Sequence, residues 1–327
     1  MKNQKQTKEL LYFAALLILV LVIIYSGLQI LESTVLRPEY QTVVVERKTI
    51  TRDGVDYFPR QDVTTVLVLG IDQFGPVEDS GTYNNQGAAD MNLLLIFDEV
   101  AETCNVIQFN RDTMVEMPIL GLGGRQAGTL YGQLALAHTY GTGLADSCEN
   151  SRETISNLLH GIKIDYYVSM NMDAISILND AVGGVWVTVR DDFSKVDDSI
   201  PMGSVLLQGE QAITFVRSRA NVADQLNVSR MERHKEYLNG FIAAYRTARQ
   251  ENSELLVEVY DQISPYLITD CSVNAISGMI ERYGDYTVGE VISPAGENIR
   301  GEEYYEFHLN QAAFDELALR LLYAPKK

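Results

Sequence analysis

The chain is poor in the residues that build most recognisable sites. Among 327 residues only four are histidine, three are cysteine and one is tryptophan. His138, His160, His234 and His308 are dispersed, so a histidine-built metal centre is not expected. Cys104, Cys148 and Cys271 fit no metal-binding spacing. In an exported domain Cys104 and Cys148 could pair, the alternative being three buried thiols. There is no GxxxxGKS/T, no HExxH and no GxSxG. The glycines of GLGGRQAG lack the third glycine of a dinucleotide fingerprint and read as a flexible surface loop. Internal repeats and low-complexity tracts are absent too. Positive charge is also scarce, with 26 basic against 44 acidic residues and a formal net charge of −18. Duplex binding needs a basic face, so nucleic acid is excluded as a partner.

What is present begins with a long apolar run, residues 10–31, which carries no charge. At about 1.5 Å per residue it reaches roughly 33 Å as a helix, enough to cross a bilayer core of about 30 Å. It is too long for a signal peptide's apolar core and no cleavage site follows, so an uncleaved single-pass anchor is expected. Lys2, Lys5 and Lys8 precede the run, which keeps the N-terminus in the cytoplasm and places the main domain outside the cell membrane. An external domain lacks ATP, reduced nicotinamide and DNA as ready partners.

The remaining chain divides into a cytoplasmic tail (1–9), the anchor (10–31), a stalk (32–62), a main unit (63–250) and a C-terminal extension packed on it (251–327). Asp53-Gly54 is a hairpin turn signal within the stalk. VTTVLVLGI, MNLLLIF, CNVIQF, IDYYVSM and VWVTV read as buried strands, and VGEVIS and EYYEFHL as later ones. Helices are expected at 131–140, at 151–160 behind an Asn150/Glu153 capping box, at 173–182, from about Ser229 toward Arg249, over SELLVEVYDQIS, from about Ser272 and over AAFDELALRLLY. Asn227-Val-Ser229 is a formal glycosylation sequon, read here as a helix start. Strands interleaved with helices at this density indicate an α/β fold, a three-layer α/β/α sandwich with a central mixed sheet.

Chemistry concentrates in two places. Asp72 and Asp90 flank one irregular loop, and Arg111-Asp112 ends CNVIQFNRD, so three polar groups sit at strand ends where ligands collect in layered α/β proteins. Asp72 and Asp90 could jointly hold Mg²⁺, or act as turn formers. The second place is FVRSRANVADQLNVSRMER, which puts Arg217, Arg219, Arg230 and Arg233 within seventeen residues of an acidic chain. Guanidinium forks match phosphate oxygens in geometry and charge, so a polyanion pocket competes with a solvated helix face as the reading. Arg230 and Arg233 share a helix face, which His234 could join, whereas Arg217 and Arg219 share one only if ITFVRSR is extended.

From Val63 to Gln250 the chain resembles the LytR-CpsA-Psr family of bacterial envelope proteins. The stretches that carry this are VLVLGID, AADMNLLLIF, FNRDTMVEMP, LALAHTYG, GIKIDYYVSMNMDAISILNDAVGGVWVTV, LQGEQAITFVRSR and SRMERHKEYL, in family order. The resemblance implies an enzyme that joins a glycopolymer, taken from a polyprenyl-pyrophosphate carrier, to peptidoglycan through a phosphodiester. It implies a groove for the prenyl chain and Mg²⁺ (or Mn²⁺) on Asp72 and Asp90. Arg111 and Asp112 match the family's strand-end Arg-Asp. Of the catalytic candidates Asp90, Arg111 and Asp112, it is Asp90 that is expected to draw the acceptor's proton, as a carboxylate at the metal can over hydrogen-bond distance, with Asp112 only orienting Arg111 as the alternative. Arg217, Arg219 and Arg230 match the family's pyrophosphate-binding arginines, and Arg233 the basic residue of the last motif. Ala88 stands where the family often has arginine, Gln133 where lysine is common, and His234-Lys235 where a glutamine pair is usual. Two positive charges are thereby missing, which points to weaker phosphate binding, an altered substrate, or compensation by Lys235 or Arg125. The alternative is a polyprenyl-phosphate-binding protein without turnover.

Overall fold

The computed structural model describes residues 49–326 apart from 224–226, 253–254, 273–274, 276–277, 280–281 and 284–285. The tail, the expected anchor at 10–31 and the first part of the stalk lie outside the described residues. None of the described helices is long and apolar enough to cross a membrane.

The chain enters through a hairpin, β1 (Ile50–Arg52) and β2 (Val55–Pro59), turned at Asp53 and Gly54, both with positive φ. β3 (Val63–Ile71), β4 (Ala89–Asp98) and β5 (Thr103–Phe109) follow as an antiparallel series. A second hairpin, β6 (Met114–Leu120) and β7 (Gln126–Gln133), leads through a 3-10 segment, Leu134–Tyr140, into α1 (Ala145–Leu158). Next come β8 (Tyr166–Asn171), α2 (Asp173–Ala181), the hairpin β9 (Val185–Val189) and β10 (Gly203–Leu207), and α3 (Glu210–Arg217). The long α4 (Asn227–Glu251) and α5 (Leu255–Ile263) precede β11 (Leu267–Thr269) and β12 (Thr287–Ile292). A hairpin of β13 (Gly296–Arg300) and β14 (Tyr305–Leu309), α6 (Gln311–Leu322) and β15 (Tyr323–Pro325) finish the chain.

The central sheet has the order β11-β8-β3-β4-β5-β12, with β8 parallel to β3 and β12 parallel to β5. It is a mixed sheet, and its two edge strands both come from the C-terminal extension. The alternation along each strand explains the layers, because successive side chains face opposite sides. Val66, Val68, Leu93, Leu95 and Phe97 bury one face beneath α2, α3, α4 and α5. Leu67, Leu69, Leu94, Ile96 and Ile107 bury the other beneath α1 and α6.

Several expectations need correction. Cys104 lies under the first face and Cys148 under the second, so the sheet itself stands between them; all three cysteines are buried free thiols. Residues 131–140 are not one helix. Tyr131 and Gly132 still pair with Glu116 and Val115 in β7, and GLGGRQAG makes the turn of that hairpin rather than a free loop. Asn150 is no cap but lies inside α1, where its side-chain amide donates to Pro118 O and Ala137 O.

Candidate functional site

Strand direction brings the polar groups to one end of the sheet. β3 and β8 run parallel and stop together, with Ile71 opposite Asn171. β4 runs the other way and begins there, and β5 returns and ends there, with Asn92 opposite Phe109. Asp72, Asp90 and the Asn110-Arg111-Asp112 turn therefore share one rim. The Asp72 amide donates to Ala88 O at 2.9 Å, which ties the two ends of the intervening loop. Gly87 is required at this closure, because a Cβ there would lie 2.8 Å from Ile71 Cγ2. Asn85 holds the loop from inside, donating to His138 O and Gly141 O and accepting from the Gly87 amide.

Asp90, 6% exposed, is gripped from two sides. Arg111 Nη1 donates to Oδ1, and Arg230 Nη1 donates to Oδ2 at 2.5 Å. Arg230 is 3% exposed and is aimed by Asn227, whose side-chain oxygen accepts from Nε at 3.0 Å and Nη2 at 2.6 Å. Asn227 in turn donates to Asn110 Oδ1 at 2.8 Å, so α4 is fastened to the end of β5. Burial drives the Arg230 pKa down from the guanidinium range, and the charges of Arg111 and Arg219 push the same way against the pull of Asp90. Asp72 accepts from Arg217 Nε at 2.6 Å, and the Arg217 guanidinium also lies over the Phe74 ring. Asp112 is fully buried, with Arg111 Nε at 3.3 Å and Arg219 Nη1 at 3.9 Å from Oδ1. Burial raises the pKa of its carboxyl. Four guanidiniums thus face three carboxylates at one rim.

Arg233 is placed differently. Its guanidinium donates to Phe215 O, Ser218 O and Asp191, which staples α4 to the end of α3. It is not among the residues lining the groove described next. Arg217 and Arg219 do not share a face, because α3 ends at Arg217 and Ser218 is extended, so one reaches Asp72 and the other Asp112. Arg125 lies in the turn at the far end of the β6–β7 hairpin, away from the cluster. Lys235 does line the groove beside Arg217 and Arg230.

The groove opens from this cluster and runs between the sheet and the helices α2 and α4. It encloses about 1230 Å³, counting the open space at its mouth. Its walls are apolar, with Val68, Leu93 and Leu95 on the sheet side and Leu178, Leu238 and Phe241 on the helix side. His234 lines it in neutral form, since burial and then Arg230 push its pKa down to about 3. Its Nε2 lies 2.9 Å from Val216 O.

Asp72 and Asp90 offer carboxylate oxygens on adjacent strand ends, but no group of three metal-binding side chains occurs among the described residues. Mg²⁺ characteristically binds through one or two carboxylates plus waters and substrate phosphates.

The LytR_cpsA_psr family model matches residues 34–320. The chain belongs to this family. Among its relatives is the polyisoprenyl-teichoic acid–peptidoglycan teichoic acid transferase TagT of Bacillus subtilis, 27% identical over 276 residues, covering 81% of this chain and 78% of that protein. The solved structure of TagT bound to LI-WTA has a TM-score of 0.58 at 24% identity, covering 80% of this chain and 90% of that one. Bacillus subtilis TagV has a TM-score of 0.59 at 22% identity, covering 80% and 96%. These structural likenesses establish a shared α/β fold with a central mixed sheet.

Sequence reasoning located the acids and arginines of the cluster but missed the side chains that aim them. Gln133 stands out only as a neutral residue where the family commonly has lysine, and Asn110 and Asn227 are ordinary polar residues in the sequence. The only available signal for these two is that Asn110 immediately precedes the strand-end Arg-Asp and Asn227 lies three residues before Arg230.

Proposed function

We propose that this member of the LytR-CpsA-Psr family is a membrane-anchored phosphotransferase whose main domain lies outside the cell membrane. It moves a glycopolymer from a polyprenyl-pyrophosphate carrier to peptidoglycan. One observation carries the reading: a cationic rim at the mouth of a large apolar groove. A ligand with a polyanionic head and a long hydrocarbon tail satisfies both parts at once. Each buried CH₂ of the tail contributes about 0.8 kcal/mol, and each charge-assisted hydrogen bond at the head about 1.5–3 kcal/mol. The TagT relative, a polyisoprenyl-teichoic acid–peptidoglycan teichoic acid transferase by name, supports the same substrate class.

Phosphoryl transfer needs positioning and charge neutralisation more than covalent help from the protein. Arg217, Arg219, Arg230 and Arg111 take the pyrophosphate oxygens, with Arg217 giving up Asp72, and Arg111 and Arg230 giving up Asp90, for the ligand. Asp90, released from two arginines by that exchange, accepts the proton of the acceptor sugar hydroxyl. The hydroxyl oxygen forms a bond to the phosphorus that carries the polymer, and the bridging P–O bond breaks. Polyprenyl phosphate leaves with the electron pair, its new charge held by the arginines. Asp112, with no exposed surface, orients Arg111 and Arg219. Mg²⁺ or Mn²⁺ on Asp72 and Asp90, with phosphate oxygens, would supply further charge neutralisation.

The test is a mass spectrum of lipid extracted from the purified full-length protein, paired with a transfer assay. Bound polyprenyl phosphate or pyrophosphate together with transfer supports the reading. Bound lipid without transfer supports a carrier-lipid-binding protein, and no lipid in either form removes both.

A further inference from the structure

Gln133 occupies an unusual position for a neutral side chain. It ends β7, is 8% exposed, and its single amide nitrogen donates to two acceptors. One is Asp112 Oδ1 at 3.0 Å and the other is Tyr305 O at 2.8 Å. Tyr305 begins β14, in the C-terminal extension. The same hairpin meets the same turn again in a parallel bridge between Thr113 and Phe307, in which the Phe307 amide donates to Asp112 O at 2.8 Å. The backbone before β6 is thus fixed on its outer side by β14 and on its inner side by Asn110, whose side-chain oxygen accepts from the Asp112 amide at 3.0 Å.

We infer that Gln133 is a positioning residue through which the β13–β14 hairpin of the C-terminal extension sets the Asp112 carboxylate against Arg111 and Arg219. The inference rests on the phosphotransferase reading for its consequence in turnover, but not for the tether itself. Asp112 cannot reach a substrate, since it has no exposed surface. Its influence passes through the two guanidiniums on Oδ1. Because Gln133 bonds the same oxygen, it decides where that oxygen stands, and among the described residues Oδ2 makes no hydrogen bond that would hold the carboxylate in its place. The side chain at position 133 therefore does not bind phosphate. Its two hydrogen bonds join the extension to the rim.

The test compares Gln133→Met, which keeps length and removes both donors, with Gln133→Lys, which keeps donors on a chain of similar reach. The full-length protein in detergent is assayed with a polyprenyl-pyrophosphate-linked oligosaccharide and peptidoglycan, and backbone amide exchange is followed at Phe307. Gln133→Met is expected to lower kcat about 10- to 100-fold with KM within about threefold, the loss of a charge-assisted hydrogen bond. It should also speed exchange at Phe307 at least tenfold, and Gln133→Lys should restore both. Wild-type kcat in Gln133→Met, a change in KM alone, or unchanged exchange at Phe307 would overturn the inference. If the wild-type protein itself transfers nothing, the phosphotransferase reading fails, while the exchange measurement still decides the tether.

Discussion

Asp90 is the residue at which binding and turnover should part company. Its two oxygens accept from Arg111 and Arg230, so it competes with any anion for those guanidiniums. Asp90→Asn leaves four guanidiniums facing two carboxylates, with Arg230 3% exposed and short of its counter-charge. Removing one member of a buried pair costs about 3–5 kcal/mol, and the partial exposure of Arg111 and its second partner Asp112 favour the lower end, about 3 kcal/mol. At roughly 2–4 °C per kcal/mol the melting temperature should fall by roughly 6–12 °C. Affinity should move the other way. A pyrophosphate no longer displaces Asp90 from Arg230, so in metal-free buffer farnesyl pyrophosphate should bind about 10- to 100-fold tighter, the worth of one charge-assisted hydrogen bond. Titration calorimetry with the full-length protein in EDTA reads the affinity directly. The melting temperature gained on adding that ligand should be larger in the variant than in wild type, because binding to the folded state alone stabilises by mass action. Transfer should be lost. Unchanged or weaker binding by Asp90→Asn would refute the idea that the arginines surrender this carboxylate to the ligand.

Arg233→Met should cost about 3 kcal/mol of stability by calorimetry, because its guanidinium bridges Asp191 and two carbonyls inside the fold, yet leave farnesyl pyrophosphate affinity within threefold. Leu238→Trp, filling the apolar groove, should weaken binding of long polyprenyl phosphates at least tenfold while sparing inorganic pyrophosphate, measured by competition titration. Burial pushes the pKa of His138 down to about 4 and that of His234 to about 3, so the unfolded chain binds more protons below about pH 6.5. Their contribution is therefore complete above that pH and lost as pH falls toward 4 and 3, at about 1.4 kcal/mol per pH unit for each group; His138→Gln should flatten a plot of melting temperature against pH in this window. Reductant should leave the melting temperature unchanged, since Cys104 and Cys148 lie on opposite faces of the sheet.

The strands were legible because VLVLGI and MNLLLIF are buried on both faces, which leaves an uninterrupted apolar run in the sequence. The rim followed from them, since Asp72, Asp90 and Arg111 stand directly at strand ends. The β6–β7 hairpin was hidden by Pro118, Gly128 and Gly132, residues that ordinarily argue against a strand and here sit on a two-stranded ribbon. Spacing placed Arg230 and Arg233 on one helix face, but three residues still differ by about 60° around the axis. That angle sends Arg230 to Asp90 and Arg233 to Asp191. No spacing rule reveals Gln133, whose role depends on a hairpin some 170 residues later in the chain.

The central claim is that the arginine rim and Asp90 carry a glycopolymer from a polyprenyl pyrophosphate to a sugar hydroxyl. Its most direct test incubates the full-length protein with a labelled polyprenyl-pyrophosphate-linked glycopolymer, peptidoglycan and Mg²⁺, then counts both products. We expect polyprenyl phosphate and wall-linked phosphodiester in equal amounts, both absent with Asp90→Asn. Polyprenyl phosphate released without polymer joining the wall, or full transfer by Asp90→Asn, would contradict the account.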